Sequence, residues 1–113
     1  MKKNVYDQVE NFYSQDLLWE PVIKQEWVEG FLRQKAWQGL DDNRLKELWK
    51  QIELFIMYLN YADNDDLNEI TVAEYSFAIE WLGERVSGFK ATLKRVQHLF
   101  NALIDFYSYL FDK

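Results

Sequence analysis

Between Phe89 and Leu110 the chain returns an apolar side chain at positions 89, 93, 96, 100, 103, 107 and 110, in alternating steps of four and three. That step follows the 3.6-residue turn of an α-helix and is incompatible with a strand, whose faces alternate every second residue. Leu99, Ile104, Phe106 and Phe111 widen the stripe to nearly half the circumference. A helix that apolar must be covered by more than one neighbour, so the pattern predicts a long final helix over about 89–111, sitting centrally and touched on two sides.

The rest of the chain offers few ways out of helix. Proline occurs once, at Pro21, and glycine only at Gly30, Gly39, Gly83 and Gly88. Val5, Val9 and Phe12 share a face of a helix predicted over 4–15. Pro21 suits the first position of a second helix, because its fixed φ and missing N–H cost nothing there, with Ile23, Trp27 and Phe31 inward and Gly39 at its end. Asp41, Asp42 and Asn43 form a polar cap cluster before Leu45, Leu48, Trp49, Ile52, Phe55, Ile56 and Leu59, all at core spacing in a helix running to about Tyr61. Thr71 and Glu74 make a capping box for a fourth helix with Tyr75, Ile79, Leu82 and Val86 facing inward, closed by Gly83 to Gly88. The expected architecture is an all-α bundle of about five helices. Without an internal repeat or a linker, residues 1–113 read as one domain, with 1–40 as an N-terminal helical extension to a 41–113 unit.

A content of 49% hydrophobic and 18% aromatic residues is enough for a packed core at 113 residues. With no cysteine, disulfides and thiolate metal sites are excluded. No segment approaches the roughly 20 apolar residues of a membrane span, so no membrane partner and a cytoplasmic location are expected. The net charge of -6 argues against strong general binding of nucleic acid, and the acidity is uneven. Residues 41–70 hold eight acidic against three basic groups, whereas 71–113 hold five of each, which leaves room for a local basic face.

Enzymatic chemistry has little to stand on. His98 is the only histidine, so a nucleophile–base arrangement would have to be built around one ring on a helix face. Asp63 to Glu74 resembles a calcium-binding EF-hand loop at Asp63, Asp65, Ile70 and Glu74, but Leu67 replaces an oxygen ligand and Asn68 the turn glycine. No second loop pairs with it. No catalytic residue, metal or cofactor is therefore expected.

Three blocks carry a resemblance. Leu48 to Leu59 contains a Trp, spaced apolar residues and Phe55-x-x-x-Leu59; Asp66 to Tyr75 contains Leu67, Glu69, Ile70 and Thr71 at a helix entry; Thr92 to Leu110 contains Thr92, Arg95, Leu99, Phe106, Tyr107, Tyr109 and Leu110. In that order they resemble the SAM-like, N-terminal core-binding domain of tyrosine recombinases, the phage-integrase family, over residues 41–112. The resemblance implies a helical domain that clamps double-stranded DNA with the start of the final helix facing the groove. Arg85, Lys90, Lys94, Arg95 and His98 gather there and are the candidate nucleic-acid contacts. The same residues also read as a solvated face balancing nearby carboxylates. The chain ends at Lys113, where the family passes into its linker, so the expectation is a unit without the cutting domain, in which Tyr107 and Tyr109 are core residues and not nucleophiles.

The second reading is a protein-interaction or self-association module. Trp19, Trp27, Phe31 and Trp37 are more aromatic surface than a thin helix pair needs, and such side chains anchor interfaces. Alternatively they cap the core of the 41–112 unit.

Overall fold

The computed structural model describes residues 4–15, 21–62, 72–85 and 93–111, the side chains of 72–76 and 93 excepted. They form α1 (Val5–Ser14), α2 (Gln25–Trp37), α3 (Asp42–Ala62), α4 (Val72–Arg85) and α5 (Leu93–Phe111), with no strand among the described residues. The fold is the all-α bundle that the spacing predicts.

Short-range chemistry sets three of the helix ends. Asn4 caps α1 by accepting the Asp7 N–H at 2.8 Å, and Asp41 caps α3 by accepting the Arg44 N–H at 2.9 Å. Asp42 then pairs with Lys46 one turn on, at 3.2 Å. At the end of α2 the Leu40 N–H donates to the Lys35 carbonyl and the Gly39 N–H to the Ala36 carbonyl, at 3.1 and 3.0 Å. That crossed pair is a Schellman motif, and it places Gly39 at φ 104°, a conformation open to glycine and strained for other residues.

Pro21 does not open α2, which begins four residues later at Gln25. A distant hydroxyl explains the delay. Tyr13 Oη donates to the Ile23 carbonyl, the acceptor that a helix starting at Pro21 would reserve for Trp27; the Trp27 N–H donates instead to Lys24 at 3.1 Å. Ile23 is fully buried, so the Pro21–Lys24 connection is held at its side chain and at its carbonyl. Burial also pushes the Tyr13 hydroxyl above its ordinary pKa, which keeps it a donor.

The helix at the centre is α3, not α5. It touches all four others, and it buries Leu45, Trp49, Ile52, Leu54, Phe55, Ile56, Tyr58 and Leu59. Leu48, expected in the core, is half-buried at its edge. An aromatic pair marks each approach to α3 but one: Phe12 meets Trp49 edge-on at 5.6 Å from α1, Trp81 stacks on Tyr61 at 5.0 Å from α4, and Tyr107 meets Phe55 edge-on at 6.5 Å from α5. From α2 the contact with α5 is the aromatic one, Phe31 against Phe106 and Tyr109 at 5.2 and 5.7 Å. Gly30 belongs to this seam, because a Cβ there would run into the Tyr109 hydroxyl.

The last helix packs on α3 and α2 through Leu99, Ala102, Leu103 and Phe106. Ile104 and Phe111, counted toward its buried stripe, are 57% and 53% exposed. Its apolar face is therefore narrower than the sequence suggests. Nor are the N-terminal helices an appendage: Val5, Val9, Ile23, Val28, Phe31 and Leu32 belong to the same core cluster as the residues of α3, α4 and α5. The Cα radius of gyration is 13.8 Å.

Two substitutions test this packing by urea denaturation. Trp49→Ala, at the meeting of α1 and α3, removes a side chain that is 2% exposed and is expected to cost about 3–5 kcal/mol. Gly39→Ala has free space around it, so its expected cost of about 1–2 kcal/mol comes from φ alone, with the slope against urea unchanged.

Candidate functional site

The first halves of α3 and α5 leave a groove between them of about 580 Å³. Its lining follows helical register. Arg44, Glu47, Leu48 and Gln51 recur at three- and four-residue steps on α3, with Lys50 beside them, and Lys94, His98, Asn101 and Asp105 do the same on α5, with Arg95 and Ala102 beside them. Leu40, just past the Gly39 turn, joins Leu48 and Ala102 as apolar lining.

The charge of this groove runs against that of the protein. Four cationic side chains, Arg44, Lys50, Lys94 and Arg95, line it with two carboxylates, in a chain of net charge -6. One of those carboxylates is already engaged. Lys35, reaching across from α2, pairs with Asp105 at 3.1 Å. The groove therefore presents a surplus of positive charge along its lining.

It also offers hydrogen-bonding groups that are not charged. His98 is exposed, and Asn101 stands one turn after it. One end of the Gln51 amide is buried with no hydrogen-bond partner among the described residues. A buried amide atom left in that state carries a free-energy cost.

Of the residues named from sequence, Lys94, Arg95 and His98 come together here. Arg85 is the last residue of α4, exposed and outside the groove lining; Lys90 lies outside the described residues. Arg44, Lys50, Gln51 and Asn101 were not anticipated. The acidic balance of residues 41–70 hid the two cations, although their register on α3 was already legible.

The four aromatic candidates have four different fates. Phe31 is fully buried between α2 and α5, so it is a core residue and presents no surface for an interface. Trp27 is half-buried against the core with the Lys24 ammonium 5.5 Å from its ring centre. Trp37, the last residue of α2, is 92% exposed. Trp19 lies outside the described residues, as do Asp63 to Thr71 of the calcium-like loop and the side chain of Glu74. Among the described residues no three His, Asp or Glu side chains group as a metal site would require, and no helix is long and apolar enough to cross a membrane.

A smaller recess beside the groove shares Glu47 and Lys50 with it and contains Glu53. Burial raises the Glu53 carboxyl above the ordinary carboxylate range, and the Lys50 ammonium pulls it part of the way back. A carboxyl whose folded pKa lies above its unfolded one opposes folding once ionised, so its contribution is best below the unfolded value and is lost as pH rises through the folded one. Glu53→Gln is therefore expected to raise the thermal midpoint at pH 7, and the gain over the parent should vanish below about pH 4. Calorimetry across that range checks both the sign and its disappearance.

No protein-family model, curated protein or solved structure matches the chain.

Proposed function

We propose that this protein is a non-catalytic nucleic-acid-binding module of the cytoplasm that takes the phosphate backbone of DNA into the groove between α3 and α5. The observation that carries the reading is the gathering of Arg44, Lys50, Lys94 and Arg95 from two helices along one groove in a protein that is acidic overall. Solvated lysines and arginines on an acidic protein ordinarily alternate with carboxylates. Here the Asp105 carboxylate is drawn to Lys35, which strengthens the field that a phosphate meets.

The recombinase-like blocks point the same way, since that resemblance puts the start of the final helix against a duplex. Lys94, Arg95 and His98 occupy the first turns of α5, where the positive end of the helix dipole adds to the attraction for phosphate. Binding of this kind is mostly counterion release, so it is weak at physiological salt and steep in its salt dependence.

The test is anisotropy of a labelled DNA duplex between about 50 and 200 mM salt. Binding is expected to weaken with salt, and Lys94→Ala with Arg95→Ala should flatten the logarithmic slope by about 2, one for each phosphate that no longer meets a cation. Arg44→Ala with Lys50→Ala, from the opposite wall, should act in the same direction, while Arg85→Ala leaves the slope unchanged. A duplex bound equally well by all these variants, or bound by none including the parent, removes the reading.

A further inference from the structure

We propose that His98 makes the groove pH-sensitive, taking up a proton as a phosphate backbone enters and so serving as a fifth cation only on the acid side of neutrality. The inference rests on the nucleic-acid reading above and adds to it a means of regulation.

His98 is the protein's only histidine, and among the described residues it is the one side chain of the groove lining whose ordinary charge change falls between about pH 5 and 8. It is exposed on the α5 wall, one turn after the equally exposed Lys94. Residues four apart on a helix are neighbours, about 5–6 Å between their Cβ atoms. A phosphate chain that engages Lys94 therefore meets the imidazole as well.

The charged groups around that ring come from three helices. Arg44, Glu47 and Lys50 line the groove from α3, and Lys94, Arg95 and Asp105 from α5; α2 reaches it through Lys35, and the described residues of α1 and α4 add nothing to the lining. Asp105 is seven residues farther along α5, about 10 Å of helix rise, and is paired with Lys35 at 3.1 Å. Glu47 stands on the opposite wall, three residues from both Arg44 and Lys50. Positive charge thus predominates around the ring, and the negative charge that favours its protonated form arrives with the ligand.

A neutral imidazole offers one N–H and one lone pair, whereas its protonated form offers two N–H donors and a unit of positive charge. The oxygens of an ionised phosphodiester only accept, so they interact more strongly with the protonated ring. By linkage, a ligand that prefers the protonated protein draws in a proton, and its affinity rises as pH falls. Carboxyl groups ordinarily titrate near pH 4, outside the window in which this happens. Glu53 is the one to control for, because burial raises its carboxyl and its recess shares Lys50 with the groove.

The experiment is anisotropy of a labelled DNA duplex at about pH 6 and about pH 8, each between about 50 and 200 mM salt. The parent is expected to bind roughly three- to tenfold more tightly at the lower pH, with a logarithmic salt slope steeper there by about 1, the mark of one further cation meeting a phosphate. His98→Gln should lose both the gain and the added slope. His98→Lys should bind equally at the two pH values and more tightly than the parent at the higher one. Glu53→Gln should respond to pH as the parent does. Because His98 is exposed, its variants are expected to fold as the parent does, which circular dichroism checks. A parent whose affinity is level across the window, a His98→Gln protein that keeps the parent's response, a His98→Lys protein that gains nothing, or a Glu53→Gln protein that loses the response overturns the role of His98 while leaving the phosphate groove standing. Absence of duplex binding at both pH values overturns the two together.

Discussion

The contact of α3 with all four other helices organises everything else in this molecule. A 21-residue helix with eight buried side chains cannot be covered by a single partner, so α1, α2, α4 and α5 are each obliged to lie against it. Aromatic pairs then fix how the neighbours sit, since rings that meet edge-on or stacked tolerate less sliding than aliphatic side chains do. The groove is a consequence of that arrangement. Phe55 and Tyr107 hold α3 to α5 near their C-terminal halves, while the first halves carry Arg44 and Lys50 opposite Lys94 and Arg95, where long cationic side chains replace rings.

Charge in this protein is arranged by helix face and not by stretch of sequence. Residues 41–70 are strongly acidic when counted along the chain, yet Arg44 and Lys50 of that stretch stand on the groove. A linear tally averages the two sides of a helix and loses this. Net charge consequently says how the whole molecule behaves at a distance, and the lining of one groove says what it holds at contact, where a Debye length of about 8 Å screens the remainder at physiological salt.

Features encoded within four residues of themselves were legible in the sequence. Asp41 caps the helix it precedes, and Gly39 ends the one before it, because each needs only its immediate backbone to act. The delayed start of α2 was not legible: it depends on Tyr13 capturing the Ile23 carbonyl from ten residues away. The same limit explains Ile104 and Phe111, apolar residues at the correct spacing whose exposure follows from where α3 lies and not from their own helix. Lys94, Arg95 and His98 could be named as candidates because they are neighbours in the chain; Arg44, Lys50 and Gln51 required knowing which face of α3 turns toward them.

The pair Lys35–Asp105 shows how a contact of little energetic weight can shape a site. Asp105 is about half exposed, and ion pairs in such settings add on the order of 0–1 kcal/mol to stability. Its electrostatic effect is larger than its mechanical one, because without Lys35 the Asp105 carboxylate would offset a cation in the groove that it lines. The pair also ties the end of α2 to α5, so the turn bearing Gly39 and Leu40 is set against the same wall as the cations. Charge balance and the seating of the α2 terminus are thus coupled through one lysine, and Leu40, just past that terminus, lines the groove.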